Sequence, residues 1–122
     1  MTEEDILYLH HRLIEDYGGL HGVRDVHRLK SAIYKLSQHD SVTKAAAYFV
    51  RDVIQYHPFT DGNKRTAITV MALYLSRHSV KLHCSPEQLE NFALDVAAKK
   101  YAITDIEQWL LANSNYSRPS NY

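Results

Sequence analysis

Apolar residues recur along this chain at intervals of three and four, the spacing of one face of an α-helix, over nearly its whole length. Ile6, Leu9, Leu13 and Tyr17 make the first stripe. Thr2 with Asp5 opens it as a weak capping box, and Gly18-Gly19 closes it. Asp25 can cap a second helix that turns Leu29, Ile33 and Leu36 inward, with Ala32 allowing close approach. Gln38 to Thr43 is a polar connection. Ala46, Phe49, Val50, Val53 and Ile54 then describe a strongly apolar helix that runs into His57 and stops, because Pro58 drives the residue before it out of the helical region. A fourth helix begins near Asn63. Its residues Ala67, Ile68, Val70, Met71, Tyr74 and Leu75 leave it apolar nearly all round, which predicts a central position. Lys81 to Cys84 reads as a short extended linker. Ser85, Pro86 and Gln88 open a fifth helix with Leu89, Phe92, Ala93 and Val96 inside, and Thr104 with Glu107 forms a last capping box before Ile106, Trp109 and Leu110. The pattern predicts an all-α fold, with one domain over residues 1–113 and a polar, frayed tail over 114–122.

Composition narrows the function classes. A chain of 122 residues is one domain, and a chain of this size buries roughly two-thirds of the surface it would expose unfolded. The 14 Lys and Arg balance the 14 Asp and Glu, so no net field gathers nucleic acid or anionic lipid onto the molecule, and any anion site must be local. The lone Cys84 cannot form an intramolecular disulfide, and it reads as a small buried residue. Met1 leads into the acidic T-E-E-D, and no apolar run approaches the roughly 18 residues that would cross a bilayer. The expectation is a cytoplasmic protein with neither a membrane nor a nucleic acid as partner. Eight histidines invite a zinc reading, but none has the i, i+4 spacing of a zinc helix, and the adjacent His10 and His11 point different ways. Tyr8, Tyr34, Tyr48, Tyr56, Tyr74 and Tyr101 fall at core-facing or boundary positions and read as packing.

The chemistry concentrates in residues 57–65, H-P-F-T-D-G-N-K-R, between the two most apolar helices. Gly62 and Asn63 fall at a helix start, where backbone N–H groups lack partners and the dipole end is positive. Gly62 has no side chain to block a phosphate, while Lys64 and Arg65 add a point charge and a planar fork. Asp61 can hold Mg²⁺, which keeps several waters and takes only one or two protein carboxylates. His57 can take a proton from an attacking hydroxyl, and Phe59 can anchor the loop. Taken singly, His57 is an ordinary helix-end histidine and Asp61 and Asn63 are ordinary caps. Two cations in a first helical turn, however, oppose the dipole, and a bound anion would offset that cost. Arg24 and Asp25, after Gly18, Gly19 and Gly22, either line the site or serve turn and cap chemistry.

The nine residues closely resemble the signature loop of the Fic/Doc superfamily, H-x-F-x-[D/E]-G-N-x-R. The stretches Y-G-G-L-H-G-V-R-D (17–25), L-K-S-A-I (29–33) and T-A-I through S-P-E extend the likeness over about residues 3–111. The resemblance implies a compact six-helix bundle with the signature loop joining two central helices. Adenylylating members read G-N-G-R-x-x-R, whereas here Lys64 stands at the Gly and Ile68 at the second Arg. That form is similar to the Doc, or death-on-curing, branch. It implies transfer of the γ-phosphate of ATP to a Ser or Thr hydroxyl of a translation elongation factor. By position, the resemblance implies His57 as general base, Asp61 as Mg²⁺ ligand, Gly62 and Asn63 as phosphate cradle, and Lys64 and Arg65 as phosphate clamps. The chain has no inhibitory S/T-x-x-x-E-G/N helix, so the implied restraint is a separate antitoxin. Adenylyl transfer, and a non-catalytic module that binds nucleotide or antitoxin, stand as alternatives.

Overall fold

The structure, a computed structural model, describes residues 1–115. Six helices follow in order: α1 (Glu3–Tyr17), α2 (Val26–Lys35), α3 (Val42–Tyr56), α4 (Asn63–Arg77), α5 (Pro86–Ala97) and α6 (Ile103–Ala112). Among the described residues, β-type pairing is confined to two isolated bridges, Val23 with Phe59 and Leu82 with Ser114. The fold is all-α, as the apolar spacing predicts.

Most helix starts carry the caps their sequences announce. Thr2 and Asp5 bond each other's backbone N–H at α1, and Ser85 and Gln88 do the same at α5. Asp25 accepts the Arg28 N–H at α2. The predicted polar connection runs two residues too far, because Ser41 already caps α3 by accepting the Lys44 N–H. The predicted Thr104–Glu107 box does not form. Thr104 lies inside α6, whose start is closed by Asp105 accepting the Ala102 N–H. The Glu107 carboxylate instead accepts from both Ser41 Oγ and Thr43 Oγ1 at 3.1 Å, which ties α6 to the start of α3. A tertiary pair of hydroxyls has taken the place of the local backbone donor.

Helix α3 is the hub, touching α2, α4, α5 and α6, while α1 lies against α4. Ala45, Ala46 and Ala47 are fully buried and let neighbouring helices come close, with Phe49, Val50, Val53 and Ile54 filling the core between them. No residue of α4 from Thr66 to Leu75 is exposed, so its predicted central place holds. Asp52 of α3, 2 % exposed, accepts from Lys35 of α2 and from Arg51 Nε at 2.8 Å. Phe92 stacks on Trp109 at 4.1 Å, joining α5 to α6. Three tyrosines depart from the predicted packing role: Tyr8, Tyr34 and Tyr56 are 60 %, 62 % and 36 % exposed. Tyr74 is buried and donates to the Leu36 carbonyl at 2.8 Å. Cys84 is half-buried, and burial pushes its thiol above the usual range, which agrees with an inert residue.

At the C-terminal end, Ser114 is fully buried and the Asn115 side chain accepts from the Lys81 N–H and donates to the Ser79 carbonyl. These two residues of the predicted tail are therefore docked on the linker that precedes α5. Residues 116–122 of that tail lie outside the described residues. No helix among the described residues is long and apolar enough to cross a membrane.

Candidate functional site

Residues 57–62 join α3 to α4, so the two most buried helices hold the loop at both ends. His57 closes α3 in the left-handed region, φ 50° and ψ 61°, with its side chain exposed. Few residues with a side chain adopt that conformation. The loop then turns inward at Phe59, which is fully buried and stacks flat on the His10 ring at 3.8 Å. Asn63 stitches the loop closed. Its Oδ1 accepts the Phe59 N–H and its Nδ2 donates to the Phe59 carbonyl, both at 3.0 Å.

A second piece of chain, the α1–α2 connection, braces the loop along its length. Arg24 donates from its guanidinium to the Tyr56 and His57 carbonyls, and the Arg24 and Asp25 N–H groups both reach the Pro58 carbonyl. Thr60 N–H donates to the Gly22 carbonyl at 3.0 Å. Asp61 is held from both sides: its Oδ2 accepts the Leu20 N–H and its carbonyl accepts from His10 Nε2, each at 2.8 Å. His10 is 4 % exposed, and burial keeps its pKa below the ordinary histidine value. As a neutral ring donating to a carbonyl, it carries its proton on Nε2.

Among the described residues, Asp61 Oδ1 has no protein partner, on a half-buried carboxylate. One such oxygen is the donor set a hydrated Mg²⁺ requires, so the site fits that ion. Gly62, φ 77°, precedes α4, and no side chain caps this helix. Its first turn holds Asn63, Lys64 and Arg65 with no acid among them, and both cations are exposed. The Arg65 guanidinium lies over the Tyr17 ring, 3.9 Å from its centroid. This turn offers an anion free backbone N–H groups, a dipole end and two cations together.

Two of the predicted roles change in physical detail. A Cβ on Gly62 would meet Ile14 Cδ1 at 3.0 Å and the His10 ring at 3.7 Å. The missing side chain makes room for α1. The Asn63 carboxamide is buried and engaged with Phe59, so what Asn63 can offer an anion is its backbone N–H. His57, Asp61, Lys64 and Arg65 keep exposed or half-exposed side chains on the one loop and the turn that follows it. Asp25 serves as the α2 cap, whereas Arg24 reaches the loop. Sequence reasoning did not find His10, Tyr17 or Leu20. The first two carry no local signal, since a helical apolar stripe accommodates either as packing, and Leu20 acts through its backbone.

The Fic/DOC family model matches residues 1–75, which take in α1 to α3, all but the last two residues of α4, and every residue of this site. A protein named Protein kinase doc, from Escherichia phage P1, is 28 % identical over 116 residues, covering 90 % of this chain and 91 % of that protein. With its signature loop set between α3 and α4 and braced by the α1–α2 connection, the chain belongs to the Fic/DOC family.

Proposed function

We propose that the protein is a Doc-like toxin that transfers the γ-phosphate of ATP to a Ser or Thr hydroxyl of a target protein, with a translation elongation factor as the expected target. The observation that carries this reading is the uncapped start of α4, where Lys64 and Arg65 follow directly on Asp61 and Gly62. Two cations in a first turn oppose the helix dipole unless an anion sits there. The relative named as a protein kinase supports phosphoryl transfer over other group transfers.

In this reading the N–H groups of the first turn of α4, together with Lys64 and Arg65, hold the polyphosphate of ATP. Asp61 would hold Mg²⁺ through Oδ1, and the ion would supply charge neutralisation to the polyphosphate. His57, exposed at the edge of the loop, accepts the proton of the attacking hydroxyl. The hydroxyl oxygen forms a bond to the γ-phosphorus, the bond to the bridging oxygen breaks, and ADP leaves. Lys64 fills the place that adenylylating members leave to a Gly, and Ile68 lacks the guanidinium of their second Arg. The γ-phosphorus is accordingly the reacting centre. Growth arrest is the cellular outcome, and a separate antitoxin restrains it.

Mass spectrometry of a translation extract incubated with the protein, Mg²⁺ and ATP tests the assignment. An acceptor peptide gaining about 80 Da, and losing that gain with His57→Ala, is the expected result. A gain of about 329 Da would mean AMP transfer and would overturn the argument from Lys64 and Ile68. Transfer that is indifferent to His57 would remove the base from the mechanism.

A further inference from the structure

Three consecutive carbonyls at the turn into the signature loop accept from one short piece of the α1–α2 connection. The Tyr56 carbonyl accepts from Arg24 Nη2 at 2.8 Å, and the His57 carbonyl from Nε and Nη2 at 2.9 and 2.6 Å. The Pro58 carbonyl accepts the N–H groups of Arg24 and Asp25 at 2.8 and 3.0 Å. Carbonyls at the end of a helix have no partner within it, and the dipole there is negative, so a guanidinium meets both needs at once.

The residue between these bonds is under local strain. His57 stands at φ 50° while followed by Pro58, and a residue before proline prefers extended backbone. Left to its own preferences, residue 57 would leave the left-handed region and take its imidazole elsewhere. Among the described residues, its only other backbone bond is the N–H to the Val53 carbonyl at 3.3 Å, a long one. On the C-terminal side of residue 57, the Arg24 guanidinium holds the His57 carbonyl itself, while the Arg24 and Asp25 N–H groups hold the Pro58 carbonyl beyond it.

We propose that Arg24 is a positioning residue for the transfer reaction, whose guanidinium locks the left-handed turn at His57 and so aims the imidazole at the acceptor hydroxyl. This rests on the reading of His57 as the base. Arg24 acts here through the backbone of residue 57. Such a residue acts on kcat, because misplacing a base alters the transition state and leaves ground-state nucleotide binding alone.

The test uses the full chain with Arg24→Met, which removes the guanidinium but keeps the two backbone bonds to Pro58, and with Arg24→Lys, which keeps the charge without the fork. Arg24→Met is expected to lower kcat about 100-fold, the scale of a misplacement near 1 Å, with KM for ATP unchanged within about two-fold. Arg24→Lys is expected to lose less, and millimolar guanidinium ion to restore the methionine variant without affecting the parent. A methionine variant whose kcat stays within about three-fold of the parent overturns the proposal, as does a loss that only follows the fraction unfolded by circular dichroism. Should the methionine variant not fold, the same criterion is read on the lysine variant. The dipolar coupling between the His57 amide and α protons, measured by NMR as their intraresidue NOE and strong in the left-handed region, reports the turn without any assay. It is expected to change in Arg24→Met, and an unchanged value sinks the proposal even where no transfer is detected. Absence of transfer in the parent, or transfer that survives His57→Ala, counts against the functional reading and leaves the coupling to decide on Arg24.

Discussion

Ile14 Cδ1 stands 3.0 Å from where a Cβ on Gly62 would be and 3.2 Å from where one on Gly19 would be. One methyl group of α1 thus sets how closely helix, strap and signature loop meet. Gly62→Ala must hold a left-handed backbone, a cost of about 1–2 kcal/mol, and must also push that methyl aside. The two parts can be separated, because Ile14→Val deletes Cδ1 and by itself costs about 0.5–1.5 kcal/mol. In the Ile14→Val background, Gly62→Ala is expected to cost less than in the parent by an amount resolvable in urea unfolding, roughly 0.5 kcal/mol or more. Strictly additive costs would show that the close approach is not felt. The motif spelled out this glycine but not its reason, since neither the φ of residue 62 nor its meeting with a residue 48 positions earlier is a local property. For the same reason the work of the Asn63 carboxamide, which serves the Phe59 backbone, was not legible locally.

Among the elements, three helix starts were legible from a local capping partner, whereas Ser41, equally local to the Lys44 N–H, was read as part of the connection. Thr2, Asp25 and Ser85 bond N–H groups three residues on, within reach of any sequence reading. The end of α6 was misread because Glu107 has the local spacing of a capping box but spends its carboxylate on Ser41 and Thr43 of another helix. The same kind of non-local tie joins α2 to α3. Asp52, 2 % exposed, faces Lys35 and Arg51, whose side chains remain 28 % and 24 % exposed. Removing one partner of a buried ion pair typically costs about 3–5 kcal/mol, because the other is left buried and uncompensated. The partial exposure of both cations reduces that, so Asp52→Ala is expected to cost about 2–3 kcal/mol. Lys35→Met is expected to cost less, since Arg51 still meets the carboxylate. Thermal unfolding of the two variants checks the order. Equal losses would mean that Arg51 is not an independent partner of Asp52.

Across the whole molecule, the site and the structure that supports it come from different parts of the chain. Every site residue lies within residues 1–75, the part the family model matches, yet α3, which holds His57, packs against α5 and α6 as well as α2 and α4. Phe92, Val96, Ile106 and Leu110 are 1 % exposed or less, and they cover that side of the core. Full burial of one large apolar side chain contributes about 1.5–3 kcal/mol. Four of them together are comparable with the roughly 5–15 kcal/mol by which a whole domain is stable. A chain ending at residue 80 would keep every residue of the candidate site but expose the Ala45, Phe49 and Ile54 side chains of α3 to the extent that α5 and α6 cover them. Such a fragment is expected to lose cooperative unfolding and the protected amides of α3, as read by near-ultraviolet circular dichroism and hydrogen exchange. Sequence periodicity assigned α5 and α6 to the core, but it could not say which helix they cover, because that depends on pairings between distant segments. A fragment that unfolds in one sharp transition would mean that α1 to α4 hold the His57 turn by themselves. The distant half of the chain would then be a cover for the site's scaffold and not part of it.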